Sequence, residues 1–73
     1  MKFRIRIELE NQDIGSEQVI CVYFIQDAHL GKYFQLTPHI AKAGVFEPNV
    51  INEIVNYYCD RKIKIYKIEM EAV

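Results

Sequence analysis

Tryptophan is absent from this sequence, and cysteine, glycine and proline are scarce, with two, three and two residues respectively. Each shortage excludes something. Two cysteines are too few for the disulfide framework of a small secreted domain, so Cys21 and Cys59 read as buried free thiols that pack as small hydrophobes. Three glycines, Gly15, Gly31 and Gly44, are too dispersed for a phosphate-cradling loop. No Cys or His pair has the short spacing of a zinc site, and His29 and His39 stand ten residues apart. No metal or other cofactor is expected. Nor do serine, histidine and acidic residues, or cysteine and histidine, fall into a set that spacing brings together for nucleophilic catalysis, so the chain reads as non-catalytic.

An excess of charge of either sign is also missing. Nine Lys and Arg against ten Asp and Glu leave a net charge of −1. There is no overall basic field to attract nucleic acid, and no acidic field to imitate it. The longest apolar run, Val19 to Ile25, is far shorter than the roughly 20 residues that span a bilayer. The alternating start, Met1-Lys2-Phe3-Arg4-Ile5-Arg6, is unlike the continuous apolar stretch of a signal peptide. A cytoplasmic protein is the expectation.

What is present is a hydrophobic fraction of 51 %, including five Tyr and four Phe. That suffices for a packed core in one domain over residues 1–73, near the lower size limit at which a single core holds. Phe3, Ile5, Ile7 and Leu9 alternate with Lys2, Arg4, Arg6, Glu8 and Glu10, the period of a strand with one dry face. Asn11 to Ser16 is rich in turn formers. A second strand over 17–27 is apolar on both faces, a turn follows at Ala28 to Gly31, and Tyr33 to Leu36 make a short third strand. Thr37-Pro38 predicts the start of a short helix over 38–43, with Gly44 as its stop. From Pro48 to Arg61 the pattern is helical, with Val50, Ile51, Ile54, Val55 and Tyr58 on one stripe and Asn49, Asn52, Glu53, Asn56 and Asp60 opposite. A last strand over 62–71 changes phase near Tyr66, which predicts a bulge.

The two terminal strands carry complementary charges that select a register. Paired antiparallel, they set Arg4 against Glu71, Arg6 against Glu69 and Glu8 against Lys67. The dry face of that register sets Phe3 against Ala72, Ile5 against Met70, Ile7 against Ile68 and Leu9 against Tyr66. The best parallel alternative puts Lys2 beside Lys67. Opposite-sign pairs are worth roughly 0.2–1 kcal/mol each and like-sign pairs are unfavourable, so the antiparallel pairing wins. The result is an α+β fold: a four-stranded, mostly antiparallel sheet in order 3-2-1-4, with the main helix and a short helix on one face. One helix alone would deliver the chain to the wrong end of the sheet, so residues 37–47 must first run out along it.

Two surfaces remain as candidate sites. With one face of the sheet under the helix, either Val19, Cys21, Tyr23 and Ile25 or Ile20, Val22 and Phe24 of the second strand fall on the other, as an apolar patch that soluble monomers avoid. The candidate is Ile20, Val22 and Phe24. The alternative is that the short helix and Phe46 fold over it. These three residues are the expected contact for a protein partner or a second copy, and the chain reads as a homodimeric interaction module, an adaptor or an inhibitor of a larger protein. Small inhibitors encoded by phages and mobile elements share this profile.

The second candidate is the helix face with Asn49, Asn52 and Asn56. Ile40-Ala41-Lys42-Ala43-Gly44-Val45 followed by the helix from Pro48 resembles the helix-turn-helix of bacterial repressors. The resemblance implies a DNA-binding regulator using residues 38–61, in which these asparagines contact bases or a partner. Here Ala41 stands three residues before Gly44 instead of four, and Glu53 and Asp60 repel phosphate. The basic residues Arg61, Lys62, Lys64 and Lys67 interleave with Glu8, Glu69 and Glu71 and read as a solvated sheet face.

Overall fold

The period-two pattern at the start of the chain folds as it reads. Phe3–Glu10 is strand β1, with Ile5, Ile7 and Leu9 buried and Arg4, Arg6 and Glu8 on the opposite face. The computed structural model describes residues 1–29 and 32–73. The remaining elements are β2 (Ile20–His29), β3 (Tyr33–Thr37), a 3-10 turn (Ile40–Lys42), α1 (Val50–Asp60) and β4 (Ile65–Ala72). Of the turn expected at Ala28 to Gly31, Leu30 and Gly31 lie outside the described residues.

The sheet has the order β3-β2-β1-β4, and every pairing is antiparallel. β1 and β4 adopt the charge-matched register, with Arg4 opposite Glu71, Arg6 opposite Glu69 and Glu8 opposite Lys67. Beyond Glu8 the register slips, so Leu9 faces Ile65 rather than Tyr66. The extra residue sits where the sequence changes phase, as a bulge requires. A second slip, between Ile25 and Asp27, breaks the β2–β3 ladder at Gln26.

That second slip solves the problem of the long crossover. Where β2 bends away, Gly44 donates to the Ile25 carbonyl at 3.0 Å, and Phe46 exchanges two backbone hydrogen bonds of 2.8 Å with Phe3. The chain has thus returned to the beginning of β1 before α1 starts. Eleven helical residues then rise about 16 Å. The six steps from Phe3 to Leu9 cover about 20 Å. The helix therefore sets the chain down near Leu9, where β4 begins. Residues 38–43 do this work as an extended strap, and only Ile40–Lys42 are helical, as a 3-10 turn that buries none of its residues.

α1 starts two residues later than the sequence suggests, because Pro48 and Asn49 form a turn closed by Val50 N–H to the Glu47 carbonyl at 3.2 Å. It ends in a Schellman motif. Ile63 N–H reaches back to the Tyr58 carbonyl and Lys62 N–H to the Cys59 carbonyl, both at 3.0 Å, while Lys62 adopts a left-handed φ of 59°. Val50, Ile54 and Tyr58 are buried against Ile5, Ile7, Leu9, Ile25 and Phe34. Val55, placed on the apolar stripe by its spacing, is exposed, and Tyr57 packs inward instead. The ring of Tyr57 meets Phe34 edge to face at 5.0 Å, and Arg61 caps its other side at 3.5 Å. This rotates the helix toward β3. Burial pushes the Tyr58 hydroxyl up to about 12, since a phenolate there would lose its hydration. The two thiols are free, but Cys59 lies exposed on α1 and Cys21 is half-buried, so neither is the core residue that apolar context implies.

Candidate functional site

The pleat decides which residues of β2 meet the helix. Cys21 and Tyr23 stand opposite Leu9 and Ile7 and so share the core side, whereas Ile20, Val22 and Phe24 stand opposite Glu10, Glu8 and Arg6 on the far side. The structure therefore brings Ile20, Val22 and Phe24 together as one strip on the sheet face away from α1. Val22 is 40 % exposed, and Ile20 and Phe24 are half-buried. Phe46 does not fold over them, because its pairing with Phe3 directs it to the core side, where it packs on the core cluster. Ile40, the apolar residue of the 3-10 turn that the short-helix alternative would need as a cover, is itself exposed.

Ion pairs border the strip along β1 and β4. Arg4 Nη1 meets Glu71 Oε1 at 3.0 Å. Arg6 Nη1 lies 2.7 Å from Glu8 and 3.6 Å from Glu69. Lys67 Nζ binds Glu69 at 2.7 Å within its own strand, in preference to its cross-strand neighbour Glu8. The hydrogen bond between Lys67 and Glu69, followed by their mutual attraction, raises the lysine above its usual range and lowers the carboxyl. The basic residues of this face are thus interleaved with carboxylates that neutralise them, and no basic patch forms among Arg4, Arg6 and Lys67. Arg4, Arg6, Glu69 and Glu71, with Phe24, line a shallow basin of about 390 Å³. On the other side of the strip His29 stacks on Tyr33 with ring centroids 4.3 Å apart, and its Nε2 lies 3.1 Å from Asp27.

Asn49, Asn52 and Asn56 are exposed on α1, across the sheet from the strip, so the two candidate surfaces do not join. Asn49 occupies the N-cap position without a side-chain capping bond. The segment 38–61 holds one 3-10 turn and one α-helix, so the paired α-helices of a helix-turn-helix are not formed. A three-residue turn is too short to brace a recognition helix.

Pattern reading missed a third surface. Tyr66, Ile68 and Met70 alternate as a covered face should, but β4 is an edge strand. Tyr66 and Met70 are 40 % and 39 % exposed. The only available signal was the predicted strand order, which already put the fourth strand at the rim.

A hollow of about 460 Å³ at the C-terminal end of α1 is lined by residues including Leu9, Cys21, Tyr23, Tyr58 and Ile63. A hydrogen bond with the Cys21 side chain, aided by burial, holds the Tyr23 hydroxyl above its ordinary value. Among the described residues no three His, Cys, Asp or Glu side chains converge as a metal site, and no helix is long and apolar enough to cross a membrane. No protein-family model matches the chain, and no curated protein or solved structure is detectably similar to it.

Proposed function

We propose that this chain is a small non-catalytic protein-interaction module, homodimeric and cytoplasmic, that acts as an adaptor or as an inhibitor of a larger protein. One observation carries the reading: the strip of Ile20, Val22 and Phe24 lies on the sheet face away from α1, with ion pairs at its border. An apolar centre with a polar rim is the layout of a protein interface, and contiguous apolar surface on a small soluble domain marks a contact more often than chance. The alternating Arg and Glu of the rim suit a partner that is itself mixed in charge. Free thiols on both cysteines support a reducing compartment.

Val22→Lys tests the reading. The new lysine stands opposite Glu8, where a cross-strand ion pair preserves the fold, but it puts a charge in the middle of the apolar strip. Proteins retained from a native-host lysate by the wild-type chain are expected to be lost with Val22→Lys, while its unfolding midpoint stays unchanged. Identical retention by both chains refutes the proposal.

A further inference from the structure

β4 forms one edge of the sheet, and among the described residues no strand pairs with its outer side. The bonds it makes inward determine which groups it presents outward. Phe3 exchanges its two backbone hydrogen bonds with Phe46 on the β2 side of β1, so the even-numbered residues of β1 bond toward β4. Two further bonds agree: Val73 N–H to the Lys2 carbonyl and Glu10 N–H to the Lys64 carbonyl. Glu71, Glu69 and Lys67, opposite Arg4, Arg6 and Glu8, are thus turned inward. The N–H and C=O groups of Ile68 and Met70 face out of the sheet, and such an edge is a template for another strand.

The side chains along this edge are also uncovered. Because Tyr57 draws one flank of α1 toward Phe34 on β3, the opposite flank, with Ile51 and Val55, looks toward β4. Tyr66 and Met70 are exposed along the edge itself, and Val55 is exposed on the flank of the helix turned toward it.

We propose that a second copy of this chain occupies this edge. The two β4 strands pair antiparallel about a two-fold axis at Ile68, giving a continuous eight-stranded sheet with both α1 helices on one side. Charge selects the register. Centred on Ile68, the pairing sets Lys67 against Glu69 of the second copy twice, Tyr66 against Met70 twice, and Ile68 against itself. Centred on Glu69 it opposes two glutamates, and centred on Lys67 two lysines. Centred on Met70 it sets Glu69 against Glu71 twice. Only the Ile68 register has opposite-sign pairs and no like-sign pair. A lysine in an edge strand ordinarily deters pairing; in this register it is answered by Glu69. The bulge beside Tyr66 marks where the pairing stops. Five paired residues per strand make a short contact, so the dimer is expected to be reversible and dependent on concentration. The pairing uses none of Ile20, Val22 or Phe24 and leaves that strip free on both copies.

Sedimentation equilibrium of the full chain at increasing micromolar concentrations tests the proposal. The expected result is a reversible equilibrium between the 8.6 kDa chain and a species of twice that mass. Met70→Pro removes an outward N–H and none of the bonds to β1, a change that edge strands tolerate. It is expected to weaken the dimer at least about tenfold with the folding midpoint unchanged. Lys67→Glu also weakens the dimer, at a cost to the fold because it opposes Glu8 within the chain. Combining it with Glu69→Lys, Arg6→Glu and Glu8→Lys recovers both, because the pairs within and between copies re-form with reversed sign. If Met70→Pro does not fold, the charge variants decide. A wild-type chain that stays monomeric throughout overturns the proposal. So does a dimer indifferent to Met70→Pro and Lys67→Glu, or one abolished by Val22→Lys instead. The last outcome moves self-association to the far face without touching the reading of that face as a contact.

Discussion

Gly44→Ala probes the crossover on which the topology depends. The Gly44 N–H donates to the Ile25 carbonyl at 3.0 Å, and a Cβ at this position would lie 2.5 Å from the Gln26 carbonyl oxygen and 3.0 Å from Phe46 Cζ. The oxygen belongs to the backbone of the bulge, so it cannot rotate away as a side chain would. Either the strap lifts or β2 shifts, and lifting the strap stretches the Phe3–Phe46 pair as well. Overpacking of this kind costs about 1–3 kcal/mol, and a weakened hydrogen bond adds about 1 kcal/mol. The alanine recovers about 0.4–1 kcal/mol by restricting the unfolded chain. The net loss is about 2 kcal/mol, which in a domain of this size lowers Tm by about 10 °C. Thermal and urea unfolding followed by circular dichroism measure it. A midpoint equal to or above that of the wild type would mean that residues 43–46 do not cross at Gln26, and that the chain takes another path from β3 to α1.

Two further changes test the C-terminal end of α1 and its buried face. Lys62 holds the left-handed position of the Schellman motif, a conformation that strains any residue with a Cβ; Lys62→Gly is expected to raise stability by about 0.5–1 kcal/mol, and a loss in urea unfolding contradicts the motif. Tyr58 titrates near 12 when folded against an ordinary 10, so between those values the unfolded chain has released a proton that the folded chain retains. Stability from this group is therefore complete below pH 10 and falls as pH rises through that window. A tyrosinate absorbance titration should show one hydroxyl ionising with unfolding, and Tyr58→Phe should flatten the alkaline loss.

The terminal strands show how much was legible along the chain. Alternation over residues 3–10 and the charges of Arg4, Arg6, Glu8, Lys67, Glu69 and Glu71 select one register, because period-two pleating and cross-strand neighbours are local rules that act on adjacent residues. The same pleating places Ile20, Val22 and Phe24 on one face of β2, and the phase change near Tyr66 announces its bulge. Other features were decided by tertiary contact. Val55 and Tyr57 lie on either side of the predicted stripe, and the rotation of α1 was settled by the ring of Phe34, distant in sequence, which gives Tyr57 a packing site. Gly44 reads as a helix stop, yet its lack of a side chain serves the close approach to the Gln26 carbonyl, a neighbour brought there only by the bend of β2. Whether an apolar residue is covered depends on what the fold lays over it. Tyr66 and Met70 follow the same alternation as Ile5 and Ile7, but β1 has a strand on each side and a helix above, whereas β4 is at the rim.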